Sequence, residues 1–198
     1  MKKIVPGIST WSIFNTEKQL NFNGWYIEHQ GEAVVIDPPT PGQAVLDEIE
    51  KRGRPKAILL TNKHHTRASE VFRRQFGCHI WIHEAEKKLM EIPIDRTFKH
   101  TDLFPCGLKA ITLKNHKTEG ETAFLFNGEV PALIVGDAVI GRPAGNLSML
   151  PKEKFRDANQ AKEALKILLE FKFEALLLGD GESFPSRGYE MLQQFLSK

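Results

Sequence analysis

The segment AILLTNKHHTR, residues 57–67, sets a short apolar run directly against a polar run rich in histidine. The apolar residues 57–60 have the length of a buried strand. A helical pattern follows from Arg67 to Phe76 and is closed by Gly77. Because reactive side chains gather where strands end in loops, the segment predicts a functional site at the end of this strand.

Three other apolar strands end in an aspartate. Residues 34–36 run into Asp37, residues 132–135 run into Gly136-Asp137, and residues 175–178 run into Gly179-Asp180. A further polar segment, NHKTEGE at residues 115–121, joins strands predicted at 108–113 and 122–126. These segments are the candidates for the rest of the site.

The remaining patterns describe the scaffold. They predict a hairpin of residues 25–27 and 33–36, a helix at 41–51, a helix at 158–171 and a final helix at 187–196. Hairpins mixed with strand–helix units indicate two sheets with helices packed outside them. A chain of 198 residues fits a single domain, residues 1–198.

Composition excludes several classes of function. With 27 Lys and Arg against 25 Asp and Glu, the net charge of +2 predicts neither a nucleic-acid partner nor a membrane partner. The N-terminus has no apolar signal region, and no apolar run reaches the ~18 residues of a membrane span. Cys78 and Cys106 form no CxxC pair. We therefore expect a cytoplasmic protein with reduced thiols and a small-molecule ligand or substrate.

The order of these motifs resembles that of the metallo-β-lactamase-fold hydrolases, the superfamily that includes glyoxalase II. Those proteins carry an Ile-Asp hairpin end, a T-H-x-H-x-D-H run, a G-H-T-P-G turn, a strand ending in Gly-Asp and a late G-H-G. The counterparts here are Ile36-Asp37, Thr61–Arg67, His116–Gly120, Gly136-Asp137 and Gly179–Gly181. The resemblance runs from about Asn23 to Gly181 and implies an α/β (α+β) fold, a four-layer αββα sandwich of metallo-β-lactamase type.

The metal ligands of that family carry over only in part. Read without a gap, the family's first two histidine positions fall on Asn62 and His64, and its third falls on Arg67. The turn histidine falls on Lys117, or on His116 with a shift of one residue. If a metal is retained, the resemblance makes its ligands Asn62, His64, His116, Asp137 and Asp180. A similar T-N-x-x-H-x-R variant occurs in a subgroup described only as metal-dependent hydrolases.

The basic residues at ligand positions favour a site without a metal. Arginine does not lose its proton in a protein and lysine seldom does, so neither is a normal metal ligand. We expect Arg67 and Lys117 to replace the metal and to hold the loops through Asp137 and Asp180. The expected cofactor is therefore none. The alternative is one divalent metal, which would be zinc, manganese or iron.

Neighbouring His64 and His65 point to opposite sides if the backbone is extended, and position favours His64 as the one that faces the site. Either residue could act as a general base.

Three functions remain open from the sequence. The first is a degenerate member of the superfamily that binds a ligand and has little or no hydrolase activity. The second is a hydrolase of an ester, thioester or lactone that uses one metal on His64, Asp137 and Asp180. The third is a metal-free enzyme with a histidine base and an oxyanion bound by Arg67 or Lys117. The candidate catalytic residues are thus His64, His65, Arg67 and Lys117. The substrate and the oligomeric state are not predicted.

Overall fold

Two mixed β-sheets form the centre of the protein. The structure is a computed structural model and describes all residues from Met1 to Lys198. The first sheet has seven strands in sequence order, and the second has five in the order β12-β11-β10-β9-β8. The strands of the first sheet are β1 Lys2–Val5, β2 Ile8–Asn15, β3 Leu20–His29, β4 Glu32–Ile36, β5 Ala57–Leu59, β6 His79–His83 and β7 Arg96–Phe98. Those of the second sheet are β8 Leu103–Phe104, β9 Leu108–Thr112, β10 Thr122–Phe126, β11 Ala132–Val135 and β12 Ala175–Leu178.

Four helices cover the outer faces of the sheets. They are α1 Gln43–Arg52, α2 Ser69–Phe76, α3 Ala158–Ala164 and α4 Gly188–Leu196. Short 3-10 segments span Lys63–His65, Glu84–Leu89, Pro105–Gly107, Lys152–Lys154 and Leu165–Glu170. None of the helices has both the length and the apolar character that crossing a bilayer requires.

Three apolar clusters hold these layers together. The central cluster lies between the sheets and joins residues such as Ile36 and Leu59 of the first sheet to Phe124 and Leu177 of the second. A second cluster packs the outer face of the second sheet against α4 and the segment that follows α3. A third packs the outer face of the first sheet against α1 and α2. The order helix, sheet, sheet, helix confirms the predicted αββα sandwich.

The two sheets meet at the end where the predicted polar segments lie. Strands β4, β5 and β6 run parallel, as do β11 and β12, so their carboxyl ends fall at the same edges. The backbone joins the sheets there, because Thr122 N donates to Thr61 O at 2.9 Å and Asn23 N donates to Gly179 O at 2.8 Å. The fold therefore gathers the four strand ends that the sequence singled out.

The predicted helices differ from the observed ones by one or two residues at both ends of α1 and at the start of α4, and two further differences have a clear physical reason. The helix expected from Arg67 begins at Ser69, because Arg67 has a φ of 39°, which a right-handed helix does not allow. The helix expected at 158–171 ends at Ala164 and continues as a 3-10 segment to Glu170. Three residues per turn place Leu165 and Leu168 in one line, and both are buried.

Candidate functional site

The ends of β5, β11 and β12 pack tightly at the edge where the sheets meet. Gly136 shows how close this packing is, since a Cβ atom there would lie 2.2 Å from Thr61 Oγ1. Any larger side chain at this position would push the Thr61–Arg67 segment away from Asp137. The glycine of the Gly-Asp pair therefore sets the distance between the two sheets at the site.

His65 stands at the centre of the site, and Asp37 holds it there. The His65 Nδ1 atom lies 2.7 Å from Asp37 Oδ2. The same carboxylate accepts hydrogen bonds from Thr61 N at 2.9 Å and from Thr61 Oγ1 at 2.6 Å. Asp37 is 1% exposed and has a φ of 47°, so the chain accepts a rare backbone conformation in order to place this carboxylate. The histidine ring is thus fixed from behind.

The other side of the His65 ring faces a second carboxylate. The Nε2 atom lies 3.6 Å from Asp137 Oδ1. Burial and the Arg67 guanidinium act to lower the pKa of His65, but Asp37 and Asp137 outweigh both and raise it to about 10. The raised pKa favours the imidazolium form of His65 at neutral pH, against the Arg67 guanidinium, whose Nη2 lies 3.4 Å from the same Nε2.

Arg67 joins three strands of the fold at one point. Its Nη2 donates to Asp180 Oδ1 at 2.6 Å, and its Nη1 donates to the backbone oxygens of Asn23 at 3.0 Å and Asp37 at 3.3 Å. Gly179 O lies 3.4 Å from Nη2, and the guanidinium stacks 4.7 Å from the centre of the Phe22 ring. The Arg67 side chain is only 10% exposed. It ties β3 to the ends of β4 and β12.

Lys117 approaches the second carboxylate from the opposite side. Its Nζ lies 2.5 Å from Asp137 Oδ2, and its side chain is 17% exposed. Burial opposes ionisation of Asp137, but His65 and Lys117 together hold the pKa of this carboxyl well below its usual range. Asp137 is thus an anion between two cations. Of the two readings of the turn, Lys117 is the residue that contacts it.

Asn62 lies beneath this ion pair and connects it to a buried acid. Its Nδ2 lies 3.3 Å from Glu121 Oε1 and 3.4 Å from Asp137 Oδ2, while its Oδ1 accepts from His64 N at 2.9 Å. Glu121 is fully buried, and burial together with the nearby Asp137 carboxylate raises its pKa well above the usual value. Glu121 therefore favours its neutral form.

His116 is buried beside Lys117 but does not contact Asp137. Its ring packs edge-on against Phe155, with the ring centres 5.2 Å apart. Neither ring nitrogen has a hydrogen-bond partner. Burial lowers the pKa of His116 to about 4, so the ring is neutral. His116 thus lies next to the ion pairs without joining them.

His64 lies at the rim of the site. Its side chain is exposed, whereas that of His65 is buried. Residues 63–65 form a 3-10 turn, not extended backbone, and so it is His65 that turns inward. Partial desolvation and the neighbouring Lys117 lower the pKa of His64. His64 is therefore a neutral imidazole at the mouth of the site.

The site as a whole balances its charges. The anions are Asp37, Asp137 and Asp180, and the cations are His65, Arg67 and Lys117. His65, Asp137 and Asp180 also offer three ligand atoms within 4.8 Å of one another. In this arrangement Arg67 and Lys117 occupy the oxygens of Asp180 and Asp137 that a metal ion would need, so these donors do not fit an ion without displacement of both cations.

Sequence reasoning missed two features of this site. The first is the partnership of Asp37 and His65, for which the only signal was the Ile-Asp strand end. The second is Asn23, whose Nδ2 donates to the backbone oxygens of Leu178 and Gly181, both at 2.8 Å. Nothing in the residues around Asn23 marks this contact, since it spans 155 positions of the chain.

Comparison with solved structures gives the same architecture. DIM-1 metallo-beta-lactamase superposes with a TM-score of 0.80 at 13% identity, covering 99% of this chain and 94% of the other. BLEG-1 B3 metallo-beta-lactamase gives 0.74 at 19% identity, with 96% and 100% covered. The metallo-beta-lactamase from Pontibacter korlensis gives 0.76 at 19% identity, with 99% and 96% covered. At these identities the likeness concerns the fold.

Sequence comparison assigns the family. Among curated proteins no match is found. The family profile described as "Metallo-beta-lactamase superfamily" matches residues 1–198, the full length given. The chain belongs to the metallo-β-lactamase superfamily.

Proposed function

We propose that this protein is a metal-independent member of the superfamily, in which side-chain cations replace the metal ions and the site binds a small molecule. The observation that carries the proposal is the pairing of Arg67 with Asp180 and of Lys117 with Asp137, at 2.6 and 2.5 Å. A metal ion would have to displace both cations from these carboxylates. Arg67 would also have to leave three backbone oxygens and the Phe22 ring.

The protonation states support a site that does not activate water in the usual way. A general base needs a free lone pair at neutral pH. His65 lacks one, because its pKa is raised to about 10. Asp137 and Asp180 are held in ion pairs. His64 is neutral and exposed at the rim, so it is the one base left for the metal-free enzyme considered above.

Metal analysis of matched variants tests this proposal. The wild-type protein is expressed with added zinc, purified without chelator and measured for zinc, manganese and iron. We expect far less than one ion per chain. The double variant Arg67→His/Lys117→His restores imidazole donors at both positions and should gain zinc. Wild-type protein that retains one or more tightly held ions per chain would overturn the proposal.

Activity assays separate binding from catalysis. A panel of esters, thioesters, lactones and a chromogenic β-lactam is tested with and without chelator. We expect no turnover above that of heat-denatured protein. Turnover that survives the chelator and disappears in His64→Ala would instead establish the metal-free enzyme.

A second candidate function has one observation in its favour. His65, Asp137 and Asp180 converge within 4.8 Å, and Asp37 holds His65 Nδ1 in the way that carboxylates orient metal-bound histidines. A single-metal hydrolase would use this set, with His65 in place of His64. In that case turnover on the same panel should require the metal and stop with chelator.

A further inference from the structure

A polar groove adjoins the ion-pair site and shares Lys117 with it. Its volume is about 590 Å³, and no hydrophobic residue lines it. One wall is the turn of residues 115–119, and the other is the start of α3 with Arg156, Asp157 and Gln160. This volume is within the range of small-molecule sites, but most such sites are largely apolar. The lining therefore suits a small ligand that is polar throughout.

The charges in the groove leave one cation and one anion without partners. Lys117 is already paired with Asp137. The Asp157 carboxylate caps α3, because its Oδ1 accepts from Asn159 N at 2.9 Å and Gln160 N at 3.0 Å. Arg156 and Glu119 are both exposed, and neither forms an ion pair. A complementary ligand would thus carry one charge of each sign.

The groove also contains buried polar groups that lack partners. His116 and Thr118 are each 7% exposed. The two ring nitrogens of His116 and the Oγ1 of Thr118 have no hydrogen-bond partner. Leaving such groups unpaired away from water costs free energy, and a bound polar molecule toward which these side chains turn would recover it. The unpaired groups therefore favour an occupant with a neutral hydrogen-bonding part between its charged ends.

We propose that this groove binds a small zwitterion, a molecule of the amino-acid or short-peptide type that carries an ammonium and a carboxylate. The carboxylate lies on Arg156, which can bind it through two parallel hydrogen bonds. The ammonium lies on Glu119, and a neutral amide reaches His116. This inference rests on the proposed function, because it takes Lys117 to be engaged with Asp137 and assigns the ligand class of the same site.

Titration with glycylglycine tests the inference, followed by the ring ¹⁵N shifts of His116 and by calorimetry. We expect saturable binding with a Kd of about 1 mM or tighter, and movement of the His116 signals. N-acetylglycylglycine lacks the ammonium, and glycylglycinamide lacks the carboxylate. Each should bind at least ~10-fold more weakly, as expected for the loss of one charge-assisted hydrogen bond.

Variants with matched controls locate the site. Arg156→Gln and Glu119→Gln should each weaken glycylglycine binding at least ~10-fold. The controls Arg74→Gln and Glu129→Gln change exposed, unpaired residues elsewhere and should leave it unchanged. No saturable binding, or equal binding by the groove variants and the controls, would overturn the inference. Metal content measured on the same preparation tests the proposed function independently.

Discussion

The two ion pairs of the site have very different surroundings. The Arg67 half, formed by Arg67, Asp180, Asn23 and Gly179, satisfies its polar groups with charged or backbone partners. The Lys117 half is formed by Lys117, Asp137, His116, Thr118 and Glu121. Its one short ion pair joins Lys117 to Asp137, and the other neighbours of Asp137, His65 and Asn62, lie at 3.6 and 3.4 Å. His116, Thr118 and Glu121 all have buried polar atoms without partners.

This difference suggests different roles for the two halves. A buried ion pair with all its hydrogen bonds made is rigid, and breaking it is costly. Unpaired buried polar groups are an exception that calls for an explanation such as a ligand or water. We therefore interpret the Arg67 half as a structural link between the sheets and the Lys117 half as the part of the site that is open to a ligand.

Removing Arg67 should have the largest effect. Arg67→Met leaves Asp180 buried without its partner and releases three backbone oxygens, so we expect unfolding to cost ~3–5 kcal/mol less. Urea denaturation measures this change. Arg67→Lys keeps the positive charge but lacks the planar guanidinium group with its several donors, so it should recover only part of the lost stability. Arg74→Met, at an exposed unpaired arginine, is the control and should stay within about 0.5 kcal/mol of the wild type.

The second largest effect should be the pH dependence of the free energy of unfolding. It arises from His65, which lies between the two halves. Above pH 6.5 the unfolded chain releases the proton that the folded His65 keeps up to about pH 10. Stability therefore falls as pH rises, by about 1.4 kcal/mol per pH unit, or about 2 kcal/mol between pH 7 and 8.5. The raised pKa of Glu121 acts with the same sign.

Two measurements isolate the contribution of His65. In wild-type protein, ¹⁵N NMR at pH 8 should show both ring nitrogens of His65 protonated and His116 neutral. In His65→Gln, urea denaturation should show a smaller loss of stability between pH 7 and 8.5. A neutral His65 at pH 8 would remove the charge balance on which the metal-free site depends.

Removing Lys117 should cost less than removing Arg67. In Lys117→Met, Asp137 keeps His65 and Asn62 as neighbours. The lysine is also partly exposed, so we expect a loss of about 1.5 kcal/mol, the value of one hydrogen bond to a charged group. A loss as large as that of Arg67→Met would mean that the two halves are equally structural.

Replacing His116 should have the smallest effect on stability. Its buried nitrogens are unpartnered, so His116→Phe removes polar groups that contribute no protein hydrogen bond. Such a change is nearly neutral or stabilising by up to about 1 kcal/mol. Thermal unfolding without ligand provides the measurement. A loss above ~2 kcal/mol would show that the ring is hydrogen-bonded in the free protein.

The sequence predicted the scaffold and the composition of the site better than its geometry. The strands of residues 132–135 and 175–178 are apolar throughout, which made them recognisable, and both have the predicted bounds. Strand β2 was not predicted, because Ser12, Ile13 and Phe14 at its outer end are all exposed and show no alternation. Patterns identify strands that are buried, not those that extend beyond the core.

Within the site, the sequence placed Arg67 and Lys117 near Asp137 and Asp180 but assigned neither pair. It favoured His64 over His65 because His64 falls on a ligand position of the family pattern, whereas Asn62 caps a 3-10 turn in which His65 is the buried residue. Long-range partners of this kind depend on how the two sheets meet. No local pattern encodes that arrangement.

Crystallography at the zinc absorption edge tests the central claim most directly. The protein is purified without chelator, crystallised with zinc, and examined for anomalous density among His65, Asp137 and Asp180. Our account predicts no peak there, with Arg67 on Asp180 and Lys117 on Asp137. A zinc peak bound to these three residues, with Arg67 and Lys117 turned away, would contradict it.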